Sequence, residues 1–85
     1  MMDSQRRLRQ VFDFAFGVYM KEEINKTDSW RDIEWGKLWA HFTHEIEEIK
    51  RSKTRTRQLH NILDAINLLG MLGGKIVESQ EVKKE

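Results

Sequence analysis

The chain has no cysteine and no proline, a single tyrosine among 85 residues, and no apolar run near the length of a membrane span. Without thiols there is no disulfide framework, no thiolate nucleophile and no sulfur-ligated zinc site. Met1 to Arg9 is polar and basic with no apolar stretch behind it, so neither a secretory signal nor a membrane anchor is expected, and the expected location is cytoplasmic. An excess of one charge is also missing. Fifteen Lys and Arg face 14 Asp and Glu, for a net charge of +1. That balance gives no global pull toward nucleic acid or an anionic membrane, so any electrostatic partner must be read locally.

What is present is a helix-forming composition, 39% hydrophobic and 34% charged, which suits a folded domain better than a disordered one. A chain of this size forms one domain, residues 1–85, and sits near the range where only about 60% of the unfolded surface is buried on folding. Completion of the core by a second subunit is therefore expected.

Three helical segments follow from apolar spacing. From Asp3 to about Ile24, Leu8, Val11, Phe12, Ala15, Phe16, Val18 and Tyr19 recur at helical intervals, while Phe14 and Met20 widen the apolar arc beyond one neighbour's reach. Asn25 to Asp28 reads as a connection, and Ser29 as a cap opening a second helix that runs to about Arg51. Ile33, Leu38, Trp39, Phe42, Ile46 and Ile49 lie on the apolar side of that helix, and Trp39 is expected in the core. Ser52 to Thr56 reads as a short basic connection. Leu59 to Val77, the most apolar stretch, reads as a central third helix, with Gly70, Gly73 and Gly74 marking close packing, a bend or the helix end. Fraying is expected after Gly74, with a charged terminal tail from Glu78 to Glu85. The fold class is thus all-α: a helical hairpin plus an N-terminal helix, completed as a multi-helix bundle by oligomerisation.

Two polar stripes interrupt this pattern. His41, His44, Glu45 and Glu48 are spaced i, i+3, i+4 and i+7, so two turns of the second helix present two imidazoles and two carboxylates together. His60, Asn61, Asp64 and Asn67 form the only polar stripe on an otherwise apolar third helix. If that helix is buried, Asp64 needs a compensating group. An antiparallel hairpin places Glu48 at the level of Asn61 and Glu45 at that of Asp64. Converging carboxylates repel unless a cation separates them, and hard oxygen donors suit Mg²⁺ or Mn²⁺. Spacing alone leaves a second reading open, in which Asp64 pairs with His41, His44 or an arginine and Asn67 satisfies backbone groups.

The run His44-Glu45-Ile46-Glu47-Glu48-Ile49, followed by Asn61-Ile62-Leu63-Asp64-Ala65-Ile66-Asn67, resembles the paired motifs of the MazG-like all-α nucleoside triphosphate pyrophosphohydrolases, E-x-x-E followed by E-x-x-D. The likeness covers roughly Trp30 to Ile76, including a tryptophan before the second helix and the Gly74-Lys75 pair late in the third. It implies that Glu45, Glu48 and Asp64 hold Mg²⁺, with Mn²⁺ as the alternative ion and Asn61 assisting. A nucleoside triphosphate would then be cleaved between its α- and β-phosphates to a monophosphate and pyrophosphate. It also implies substrate contacts from Asn67 and Lys75, with His41 and His44 as further candidates beside them. Trp30, a flat aromatic face at a helix start next to polar residues, is a candidate wall of the substrate pocket, whereas Phe12, Phe14, Phe16 and Tyr19 read as core or interface. The thin core and the wide apolar arc of the first helix point to a homodimer or homotetramer. Two positions depart from the pattern: His44 stands where a further glutamate is common, and Asn61 replaces the third carboxylate. Each weakens a hard-cation site, so a degenerate site that binds without catalysing is an alternative. A catalytically silent oligomerisation or interaction module with a buried polar seam is another.

Lys50, Arg51, Lys53, Arg55 and Arg57 place five cations within eight residues beside this site. A solvated basic turn is their ordinary explanation, attraction of a triphosphate tail is a second, and nucleic-acid binding, for which no reading motif is present, is the least favoured.

Overall fold

The computed structural model describes residues 2–23 and 29–84, with side chains for 3–21 and 30–80. Among the described residues it is all-helical: α1 (Met2–Glu23), a 3-10 turn (Ser29–Asp32), α2 (Trp35–Arg51) and α3 (Arg55–Lys84). The Asn25–Asp28 connection and the Ser29 hydroxyl cap expected from the sequence lie outside the described residues. No helix is long and apolar enough to cross a membrane among those described.

The longest helix, α3, is the spine. At 1.5 Å per residue its 30 residues span about 45 Å, matching the 45 Å longest dimension of the molecule. It begins earlier than the apolar run suggested, because Thr54 caps it: the Arg57 amide donates to Thr54 Oγ1 at 3.2 Å and the Gln58 amide to the Thr54 carbonyl at 3.0 Å. It also continues past the expected fraying point through all three late glycines to Lys84.

Gly74 explains part of that continuity. A Cβ added there would lie 2.9 Å from the Trp30 indole, so the absent side chain is what lets the indole seat against the helix. Gly73 has open space in the same position. The two neighbours are expected to respond with opposite sign in thermal melts: Gly73→Ala stabilises by about 1 kcal/mol through helix propensity, and Gly74→Ala destabilises by about 1–3 kcal/mol through overpacking.

The second helix starts at Trp35 rather than Ser29, since tertiary contacts hold residues 29–32 as a separate turn on α3. Trp30 packs on Gly74, Lys75 Nζ donates to the Arg31 carbonyl at 2.9 Å, and Arg31 Nε pairs with Glu78 Oε1 at 2.8 Å. Glu34 is extended, and its carbonyl accepts the amides of Lys37 and Leu38 to open α2.

From there α2 runs antiparallel to α3 across the three residues 52–54. The hairpin is fastened by Gln58 Nε2 donating to the Ile49 carbonyl and Asn61 Nδ2 donating to Ser52 Oγ at 2.9 Å. The first helix lies along α3 on a different face, with Asn67 Nδ2 donating to the Ala15 carbonyl at 2.8 Å. The core is Ala15, Leu38, Leu63, Ala65 and Leu72. Trp39, expected inside, is 48% exposed and rests against Phe42 with ring centroids 5.5 Å apart.

Candidate functional site

Hairpin geometry sets the carboxylates. With the chain turning at 52–54, Glu45 and Asp64 fall at the same level on facing helices, and each carboxylate feels the other's charge. One oxygen of Glu45, Oε2, is buried and meets no hydrogen-bond donor among the described residues. Burial, and then the neighbouring Asp64 carboxylate, raise the Glu45 pKa above the ordinary carboxylate value; Glu48 adds to the shift, while His44 and His41 oppose it.

A raised folded-state pKa means that ionising Glu45 costs more in the fold than in the unfolded chain. Stability from this residue is greatest below the ordinary glutamate range and falls as pH rises through the folded-state pKa. Glu45→Gln is therefore expected to raise the Tm of the metal-free protein at neutral pH. Melts across the pH range, in the presence of a chelator, should show the advantage vanishing below about pH 4; a lower Tm than wild type at pH 7 would contradict it.

The other stripe residues are arranged around this pair. His44 Nε2 lies 3.7 Å from Glu48 Oε1, and His60 Nδ1 lies 4.0 Å from Asp64 Oδ2. Both are long, solvent-facing pairs that act as ion pairs only when the imidazole is protonated, and such pairs contribute at most about 1 kcal/mol. The Asp64 side chain is one-third exposed, so the deep burial expected from the apolar helix is not its condition, and water supplies part of its solvation. His41 is exposed and acts on Glu45 through charge alone.

Both asparagines have partners within the fold. The Asn61 amide nitrogen holds Ser52, whose hydroxyl donates in turn to the Glu48 carbonyl at 2.6 Å. This chain of bonds caps the end of α2 and leaves Asn61 Oδ1 without a donor among the described residues. Asn67 is spent on the α1 backbone. Lys75 is engaged by the Arg31 carbonyl and stands 11 residues beyond Asp64, about 16 Å along α3.

A second feature opens one turn beyond Asp64. Phe12, Phe16 and Tyr19 of α1, Trp30, and Asn67 and Gly70 of α3 line a cavity of about 290 Å³. The Trp30 indole N–H donates to Tyr19 Oη at 3.0 Å, fixing one wall, and Phe16 and Tyr19 stack at 6.1 Å. Trp30 was legible as a pocket wall from its place at a helix start. The α1 aromatics read as core or interface, and their i, i+4 spacing at 12 and 16 is the only signal that could have grouped them.

Hard oxygen donors are thus present at Glu45, Glu48, Asp64 and Asn61 Oδ1. Among the described residues, however, no three Asp, Glu or His side chains already form a group that could hold a metal ion. The orphaned Glu45 oxygen fits a cation in chemistry; the complete donor set is not closed around one point. No family model, curated protein or solved structure matches the chain.

Proposed function

We propose that the chain is a divalent-metal-dependent, MazG-like nucleoside triphosphate pyrophosphohydrolase. The observation that supports this best is the buried Glu45 Oε2, which meets no hydrogen-bond donor among the described residues, on a carboxylate close enough to Asp64 to feel its charge. Two anions held at one level by packing, one of them unsatisfied, make an arrangement that a cation relieves. Glu45, Glu48 and Asp64 would hold Mg²⁺ or Mn²⁺, assisted by Asn61 Oδ1. When bound, the ion supplies neutralisation of phosphate charge and activation of water. The chain's own part is positioning: α2 and α3 hold the carboxylates, and the Trp30–Tyr19 wall of the aromatic cavity offers a flat face to a base. Incubation of purified protein with a set of nucleoside triphosphates and Mg²⁺ or Mn²⁺ tests the reading. Release of pyrophosphate is expected, and none with any of them defeats catalysis.

The internal bonds of Asn61 and Asn67 favour a second reading, a silent interaction module whose polar residues tie helices together. Ligand linkage separates the two, since a metal-dependent rise in Tm supports the site and its absence supports the seam.

Under either reading the active species is a homo-oligomer. Leu8, Phe12, Phe16 and Met20 form an exposed stripe along α1, and Ile62 and Leu69 are exposed on α3. Monomeric proteins rarely leave contiguous apolar surface of this kind open to water. A second copy of the chain, as homodimer or homotetramer, would cover it. Phe16, at 62% exposure, is the sharpest probe: Phe16→Glu is expected to convert the assembly to monomer in sedimentation, and a wild-type monomer at micromolar concentration would end the proposal.

A further inference from the structure

The α2–α3 turn carries a feature that the carboxylate site does not use. A cavity of about 700 Å³ opens there, lined by Arg51, Lys53 and Arg57 together with Thr54, Thr56 and His60. Its size lies within the range of small-molecule sites. Neighbouring cations are occupied: Lys50 faces Glu47 at 3.7 Å, and Arg55 donates to Gln58 at 2.9 Å. Arg51, Lys53 and Arg57 have no side-chain partner among the described residues. The one carboxylate on the cavity wall, Glu48, already has His44 beside it. A chain of net charge +1 therefore concentrates three positive charges against one carboxylate, with two hydroxyl donors, around a single concavity.

We propose that this cavity is a metal-independent site for an oligophosphate, either free inorganic di- or triphosphate or the phosphate tail of a nucleotide. Three cations and two hydroxyls match several closely spaced anionic oxygens better than a single carboxylate. Guanidinium forks at Arg51 and Arg57 suit phosphate bidentately, while Lys53 acts as a point charge. The positive end of α3 reinforces the field without defining the site. Glu48 and Asn61 also line the cavity and stand one helical turn from Glu45 and Asp64, so a tail bound here would lie beside that pair. The site deepens the hydrolase reading in that respect but rests on its own cations and needs no cleavage.

Titration calorimetry with inorganic triphosphate, pyrophosphate and a nucleoside triphosphate, in a chelator at low salt, tests the assignment. Binding is expected, and Arg51→Gln/Arg57→Gln should weaken it at least tenfold while leaving the Tm unchanged, because both side chains are exposed. The control Arg6→Gln/Arg9→Gln removes equal charge from α1 and should change it less than twofold. Equal affinity for inorganic triphosphate and the nucleotide identifies the free anion as ligand; tenfold tighter nucleotide binding identifies the tail. Absence of binding, an equal loss in the α1 control, or tighter binding of single-stranded RNA than of triphosphate overturns the proposal. Asp64→Asn should leave chelator-phase binding intact, so failure of the hydrolase reading and failure of this one are separately visible.

Discussion

Asp64→Asn is expected to abolish the metal-dependent rise in Tm and to bring pyrophosphate release down to background. The substitution keeps the shape of the side chain and removes one of the two anions that oppose each other across the hairpin. In the metal-free protein this relieves Glu45, whose raised pKa owes its second-largest contribution to Asp64. The apo variant is expected to melt close to wild type, the relief of Glu45 offsetting what the partners of Asp64, His60 among them, contribute. With saturating Mg²⁺ the two proteins should separate. A ligand at 100 times its Kd stabilises the native state by about 2.7 kcal/mol, equivalent to roughly 10 °C or more for a domain of this length. Wild type gains that shift and Asp64→Asn does not. Equal metal-induced shifts in both proteins would remove Asp64 from the ligand set.

Leu38→Ala is expected to eliminate the cooperative thermal transition. Leu38 is 1% exposed and is the only buried side chain that α2 contributes to the core. Truncating such a leucine costs about 2–5 kcal/mol, against a total stability of about 5–15 kcal/mol for ordinary domains and the low end of that range for small ones. Two of the five core residues are alanines, so little neighbouring apolar volume remains to collapse into the cavity. Far-UV circular dichroism melts measure the effect directly. Trp39→Ala on the same helix makes the contrast: its side chain is half exposed, and the cost should stay near 1 kcal/mol unless a second copy covers it. A cooperative Leu38→Ala melt within 1 kcal/mol of wild type would show that the core lies elsewhere.

Much of this arrangement is written locally. Helical spacing in α1 and α2 and the polar break before α3 identify three helices, and a connection this short forces an antiparallel hairpin. The pairing of Glu45 with Asp64 follows from those facts alone. The boundaries depend on other information. Trp30 meets Gly74 from 44 residues away, a contact that no periodicity encodes, and it turns an apparent helix start into a separate turn. Periodicity also identifies an apolar face without saying whether the same chain covers it, which is why Trp39 reads as core and lies exposed. For Asn61 and Asn67 the residue type shows only that a bond is needed. The Ser52 hydroxyl and the Ala15 carbonyl, which supply it, become visible only in three dimensions.

The hydrogen bond from Asn67 to Ala15 spans 52 positions of the chain, and that separation has a consequence during synthesis. At about 5–20 residues per second, the first helix waits roughly 3–10 s for its partner to be made. Throughout that interval the aromatic flank of α1 has no part of α3 to rest on, whereas α2 and α3 are joined by a three-residue turn and pair almost as they emerge. The nascent chain thus passes through a stage with its hairpin yet to come and its stickiest surface already displayed, the stage at which a holding chaperone or a neighbouring nascent copy has most to gain by binding.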